Sequence, residues 1–187
     1  MRATKRRKII VLIATSADGY IARKDGGFEW LDRPGSAGNY GMDRFFRSID
    51  TILWGRKTYD LAVRMGQKGG GFGPKIQNHV FSRRPRKSRI PNVEFVREPV
   101  RRFAKRLRAR PGKDIWMMGG AGIIASFLDA GEIDEFLIHV IPVFIGEGTP
   151  LIKPRRRLVP LRLLSVRRFP DGVVSHHYAV QRKTPRQ

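Results

Sequence analysis

Three glycines in four residues, Gly119, Gly120 and Gly122, interrupt two apolar runs in the stretch IWMMGGAGIIASFLDAG at residues 115–131. Glycine inside an element costs roughly 0.5–1 kcal/mol relative to alanine, so a cluster there points to a task that side chains would obstruct. Close approach of backbone to a phosphate is such a task. A second junction has the same design: TILW at 51–54 meets Gly55 and then RKTYD, which reads as the start of a helix. A helix N-terminus behind a glycine turn presents free backbone N–H groups and the positive end of the helix dipole, and so attracts anions. Arg56, Lys57 and Thr58 add charge and hydrogen-bond donors beside it. A tight strand-to-helix turn explains either junction alone; the two together point to a ligand with several phosphates.

Two familiar phosphate patterns are excluded by context. Residues 120–125 match G-x-G-x-x-A, but that dinucleotide fingerprint belongs in the first turn of a βαβ unit, with an acid ending the next strand. Here only 65 residues follow Gly122, and the next strand ends IPVF. GxxxxGK[ST] occurs nowhere, and the glycines at 69–71 read as a mobile surface loop.

The elements that position these junctions follow from periodicity. Residues 9–15 form a branched apolar run, as a fully buried strand requires. SADGYIARKDGGFEWL follows as a loop with turn dipeptides at Asp18-Gly19 and Asp25-Gly26. Helices are expected over 42–49, 56–65, about 101–110 and 123–130, and strands over 51–54, 78–82, 93–96, 114–118 and 136–144. The C-terminal third reads as a β-hairpin about Pro170-Asp171-Gly172. Alternating strands and helices argue a three-layer α/β domain occupying the whole chain, with a basic tail at 1–7 and a second tail at 183–187.

Composition narrows the function classes. The 187 residues include 41% hydrophobic residues and no cysteine, which removes disulfides and thiolate chemistry. His79, His139, His176 and His177 show no ligand spacing with carboxylates, so no metal site is expected. The basic start with its short apolar run lacks the length and cleavage site of a signal peptide, and a cytoplasmic protein is expected. With 38 basic residues against 16 acidic ones the net charge is +22, a field that attracts polyanions non-specifically. The basic runs are scattered and carry no stacking motif, so they read as solvated surface ahead of a specific nucleic-acid site.

The ordered segments LIATSADGYIA, FFRSIDTILWGRKTYD, HVFSR, IWMMGGAG and FLIHVIPVFIGEGTPLI resemble the dihydrofolate reductase-like superfamily. They are closest to the small bacterial reductases that resemble the C-terminal reductase domain of the riboflavin-biosynthesis deaminase-reductase. The resemblance covers about residues 8–181. It implies a dihydrofolate reductase-like fold, with a mixed, mostly parallel central sheet of about eight strands flanked by helices, and NADPH bound across the strand ends. By position it implies that Ala14 and Ile21 meet the nicotinamide, that Asp18 and Gly19 shape the loop closing over it, and that Gly55, Arg56, Lys57 and Thr58 open the first phosphate-binding helix. Ser82 and Arg83 would sit by the adenine ribose and its 2′-phosphate, in a pocket of cations without an acid. Met118 would border the cofactor, Gly119 and Gly120 would share a cis peptide, and Ala121, Gly122 and Ile123 would reach the pyrophosphate.

The substrate side is less marked. Reducing a C=N bond needs a hydride at carbon and a proton at nitrogen. Asp43 is the candidate carboxylate, at closer spacing to the GR motif than in the folate enzymes. The usual threonine before His139 is Ile138, and only Lys75 stands near the place of the arginine that would hold a folate tail. The implied activity is NADPH-dependent reduction of a small heterocycle or other C=N or C=O compound. The alternatives are the riboflavin-pathway 5-amino-6-(5-phosphoribosylamino)uracil reductase, working with a separate deaminase, and a non-catalytic nucleic-acid-associated protein. A homodimer through residues 136–144 and the hairpin is implied, and Trp30, Trp54 and Trp116 are expected near the cofactor.

Overall fold

The computed structural model describes residues 6–32, 39–66, 75–84, 87–88 and 90–181. The loop expected at glycines 69–71, residues 1–5 of the N-terminal tail and all of the C-terminal one lie outside them. Among the described residues no helix is long and apolar enough to cross a membrane.

The strands are β1 (Ile9–Ser16), β2 (Tyr20–Ala22), β3 (Ile49–Gly55), β4 (Gln77–Phe81), β5 (Val93–Val96), β6 (Asp114–Gly119), β7 (Glu135–Ile141), β8 (Thr149–Pro150), β9 (Leu161–Arg168) and β10 (Val174–Val180). The helices are α1 (Met42–Ser48), α2 (Arg56–Arg64), α3 (Val100–Arg108) and α4 (Ala121–Asp129). Eight strands form one sheet in the order β5-β4-β3-β6-β1-β7-β10-β9. The first six run parallel, and β10 and β9 close the sheet antiparallel. β2 and β8 pair separately.

Alternation along the parallel strands builds the three layers. On β1, Ile9 and Val11 join Phe103 and Leu107 of α3 and Ile124 and Phe127 of α4. Their neighbours Ile10 and Leu12 join Phe45 of α1 and Tyr59 of α2 on the opposite face. A strand buried on both faces reads as an unbroken apolar run because each successive side chain enters a different core.

Several expected boundaries shift for physical reasons. β7 stops at Ile141 rather than at Phe144, because Pro142 has no N–H to continue a ladder, and Phe144 is 82% exposed. The hairpin forms, with Gly172 at φ +87° in its turn, but all eight residues of β9 are exposed. Arg7 is not part of a tail. Its buried guanidinium donates to the carbonyl of Lys113 (2.6 Å), to Thr51 Oγ1 (2.8 Å) and to Asp50, clamping the start of β1 to β3 and to the end of the α3–β6 loop.

Candidate active site

α2 follows β3 and lies on one face of the sheet, whereas α4 follows the neighbouring strand β6 and lies on the other. Adjacent parallel strands whose helices leave to opposite faces define a topological switch point, where open α/β sheets bind ligands beyond the strand carboxyl ends. Both glycine junctions read from the sequence sit at this point. They touch: a Cβ on Gly55 would lie 3.3 Å from the Gly119 carbonyl oxygen and 3.3 Å from the Gly120 nitrogen. A Cβ on Gly120 would lie 3.1 Å from Thr58 Oγ1. The peptide between Gly119 and Gly120 is cis, and Gly119 has φ +111°, a region that side chains disfavour.

An open cleft of about 1530 Å³ runs over this junction. Of the fourteen residues expected at the cofactor, Ile21, Gly55, Arg56, Lys57, Thr58, Ser82, Arg83, Gly120, Ala121, Gly122 and Ile123 line it. Ala14, Met118 and Gly119 do not line it. Ala14 packs against a small cluster around Trp30, Met118 against the core under α1 and α2, and Gly119 is buried. Lys24, Arg64, Arg84, Arg97, Lys153 and Arg155 also line the cleft, a convergence that local sequence signals do not disclose because the residues come from scattered elements. The Lys153 N–H donates to the Ala121 carbonyl (3.2 Å), which ties that segment to the first turn of α4.

The cleft is cationic but not free of acid. Asp60, one turn on, takes a 2.6 Å hydrogen bond from Arg56 Nε, and Asp25 also lines the cleft. Arg56 is thereby partly neutralised. Arg155 pairs with Asp129 at 2.8 Å. Lys57, Arg83, Arg84, Arg97 and Lys153 form no ion pair among the described residues.

Asp18 anchors the loop after β1. It accepts from the Gly146 N–H (2.8 Å) and the Ile145 N–H (3.2 Å), and the Ser16 hydroxyl beside it helps hold its carboxyl below the usual range. Asp43 stands exposed on the first turn of α1, outside the cleft lining, while Met42 and Phe46, one turn apart, face the core. The tryptophans are not in the cleft either. Trp54 donates to Asn78 Oδ1 (2.9 Å) and Trp116 to the Leu12 carbonyl (3.0 Å) within the core, and Trp30 is buried beside Ile141 and Val173.

Two histidines are held neutral by burial, which pushes both below the ordinary 6.5: His79, where Arg106 and Arg110 add to the effect and Glu94 opposes it, and His139. Unfolded histidine takes up a proton near pH 6.5, and the buried rings do so only at lower pH. Their contribution is therefore complete above about pH 6.5 and is lost as pH falls below it. Urea midpoints measured at about pH 7.5 and 5.5 are expected to be lower at the acid end. An unchanged midpoint would mean that the two rings are as easily protonated folded as unfolded.

Comparison with known proteins agrees with this geometry. The fold is that of the dihydrofolate reductase-like proteins: dihydrofolate reductase from Enterococcus faecalis, solved in complex with NADP(H), superposes with a TM-score of 0.61 at 14% identity, covering 94% of this chain and 97% of that one. Residues 7–175 match the RibD C-terminal domain, and the chain belongs to that family. A protein from Shewanella sp. PV-4 assigned to riboflavin biosynthesis gives a TM-score of 0.81 at 25% identity, with 94% and 99% of the two chains covered. The deaminase/5-amino-6-(5-phosphoribosylamino)uracil reductase of Thermotoga maritima gives 0.70 at 18% identity over 95% of this chain and 57% of that one. By sequence, YwjB of Bacillus subtilis is 36% identical over 171 residues, which is 91% of this chain and 97% of the relative.

Proposed function

We propose that this protein is an NADPH-dependent reductase of a small heterocycle or other compound with a C=N or C=O bond. The observation that carries the reading is the pair of glycine-opened helix starts meeting at the switch point inside a cleft whose lining includes Lys57, Arg83, Arg84, Arg97 and Lys153, which form no ion pair among the described residues. Glycine at 55 and 120 lets the two helix starts lie against each other, since a Cβ at Gly55 would press on the Gly119–Gly120 backbone and one at Gly120 on Thr58, and helix starts so paired fit a group with several phosphates. Gly120, Ala121, Gly122 and Ile123 would hold the pyrophosphate, and Ser82, Arg83 and Arg84 the adenosine 2′-phosphate. When bound, the dinucleotide supplies a hydride. Family membership favours a substrate of the riboflavin-pathway type, a ribosylaminopyrimidine, over a folate.

Calorimetric titration with NADPH tests the reading directly, and it suits this fold better than fluorescence because no tryptophan lines the cleft. Saturable binding tighter than about a millimolar is expected, followed by substrate-dependent NADPH oxidation in a screen of dihydrofolate and the ribosylaminopyrimidine. Absence of saturable binding in that range would sink the proposal.

The exposed edge strand β9 supports a further part of the same reading, a homodimer. Leu161, Leu163, Leu164 and Val166 are 42%, 52%, 38% and 50% exposed on it, an apolar strip with an unpaired backbone edge of the kind proteins cover. Light scattering at micromolar concentration is expected to give twice the chain mass, and Leu163→Lys to halve it. A monomeric mass for the unmodified chain rejects the dimer.

A further inference from the structure

Three buried polar atoms at the carboxyl ends of the central strands have no hydrogen-bond partner among the described residues: Trp30 Nε1, His139 Nδ1 and His139 Nε2. Trp30 is 8% exposed and His139 6%. His139 stands in register with Ala14 on β1 and with Ser175 on β10. Its ring is flanked by Tyr40 at 6.0 Å and Phe169 at 6.2 Å. Tyr40, Phe169 and Ala14 also pack against the cluster of Trp30, Ile141 and Val173, so the imidazole and the indole belong to adjoining parts of one packed region. His79 Nδ1 is also without a hydrogen bond, but Glu94 lies 3.0 Å from it, and it belongs to a different part of the core.

A buried donor or acceptor without a partner costs about 1–3 kcal/mol, and an imidazole brings one of each. Phenylalanine or leucine would fill the same place beside Tyr40 and Phe169 without that cost. Buried polar groups in folded proteins are almost always satisfied, so an imidazole orphaned at both nitrogens points to a partner that arrives with a ligand. The ring is in register with Ala14, the strand position expected at the nicotinamide, and like Ala14 it lies behind the cleft lining. Asp43, the carboxylate expected to support proton transfer, is exposed and outside this cluster.

We propose that His139 is a substrate-contacting residue, donating a ring N–H hydrogen bond to the heteroatom of the substrate's C=N or C=O bond, with the Trp30 indole N–H as a second donor to the same planar heterocycle. This rests on the reductase reading. As the hydride adds to carbon, the π electron pair moves onto the heteroatom, where the imidazole N–H stabilises the growing negative charge. A proton from water then completes the addition, so one hydride and one proton add across the double bond. Burial keeps the imidazole neutral, and no charged group among the described residues opposes that. A neutral ring can polarise the bond without repelling an electron-poor heterocycle. Tyr40 covers the ring from a left-handed backbone conformation, φ +51°, with its hydroxyl on the Asp171 carboxylate, and is the group that an incoming substrate displaces.

The test uses the whole protein and the variants His139→Phe, His139→Gln and Trp30→Phe. Because the orphan atoms serve a ligand, His139→Phe is expected to melt at or above the temperature of the unmodified protein, whereas a structural histidine would lower it. Turnover of whichever heterocycle the screen identifies should fall about 100-fold in His139→Phe, the scale of one lost oxyanion donor, with partial recovery in His139→Gln. Calorimetric NADPH binding should stay unchanged in both. In protein labelled with ¹⁵N-histidine, dihydrofolate or the ribosylaminopyrimidine should move the His139 ring resonances in the presence of NADPH. A lower melting temperature for His139→Phe, unaltered turnover, or ring resonances that neither heterocycle moves would each overturn the proposal. Failure of the reductase reading appears separately, as loss of NADPH binding by the unmodified protein.

Discussion

Replacing Arg83 and Arg84 together by aspartate is expected to weaken NADPH binding about 30- to 150-fold, or about 2–3 kcal/mol, while NADH binding barely changes. The two cofactors differ only by the 2′-phosphate, which carries nearly two charges at neutral pH. Both arginines line the cleft at the end of β4, both are exposed, and neither forms an ion pair among the described residues. Exposure weakens each contact through solvent and salt, so a single substitution leaves much of the attraction in place, and reversing both charges is needed for the full effect. Arg56 contributes less than its position implies, because Asp60 already shares its charge. Lys57 and Arg97 remain in the cleft lining, so binding should be weakened rather than abolished. If both cofactors weaken alike, the arginines act only as a general field and the 2′-phosphate assignment is wrong.

Truncating Phe103 to alanine is expected to cost about 3–5 kcal/mol of folding stability, a large part of the 5–15 kcal/mol available to a domain. The ring is fully buried, with Phe81 edge-on at 4.9 Å, His79 at 5.0 Å and the Arg106 guanidinium at 5.2 Å. Phe81 also meets Phe127 of α4 at 5.2 Å and lines the cleft, so the three rings join α3, α4 and the binding surface. The cavity cannot close without moving both helices, which places the expected loss high in the range. A shift in urea midpoint equivalent to less than about 1.5 kcal/mol would show that the neighbouring rings collapse into the gap.

What the sequence disclosed, it disclosed through local signals. The apolar runs at 9–15, 51–54 and 114–118 became central strands, and Gly55 and Gly119–Gly120 became strand-to-helix junctions, because burial on two faces and tight turns restrict residue types within a few positions. The i,i+4 pair of Arg56 and Asp60 was equally local and legible, yet the expectation of an acid-free pocket passed over it. Asp43 sits on the exposed side of α1: Met42, Phe45 and Phe46 face the core, and Asp43, the residue after Met42, is turned about 100° from it. Arg7 was illegible as a buried residue because its partners lie 43 to 106 positions distant. His139 carries no spacing signal at all. Its interest comes from the absence of a partner, which only the assembled sheet reveals.

Because α2 and α4 begin side by side but run along opposite faces of the sheet, a ligand that bonds both helix starts joins two layers that the sheet otherwise keeps apart. Opening of either layer then releases it, so cofactor binding and the integrity of the two cores become thermodynamically linked. The hinge of that linkage is the backbone of Gly55 and Gly120, where an added Cβ would sit only 3.1–3.3 Å from its neighbours.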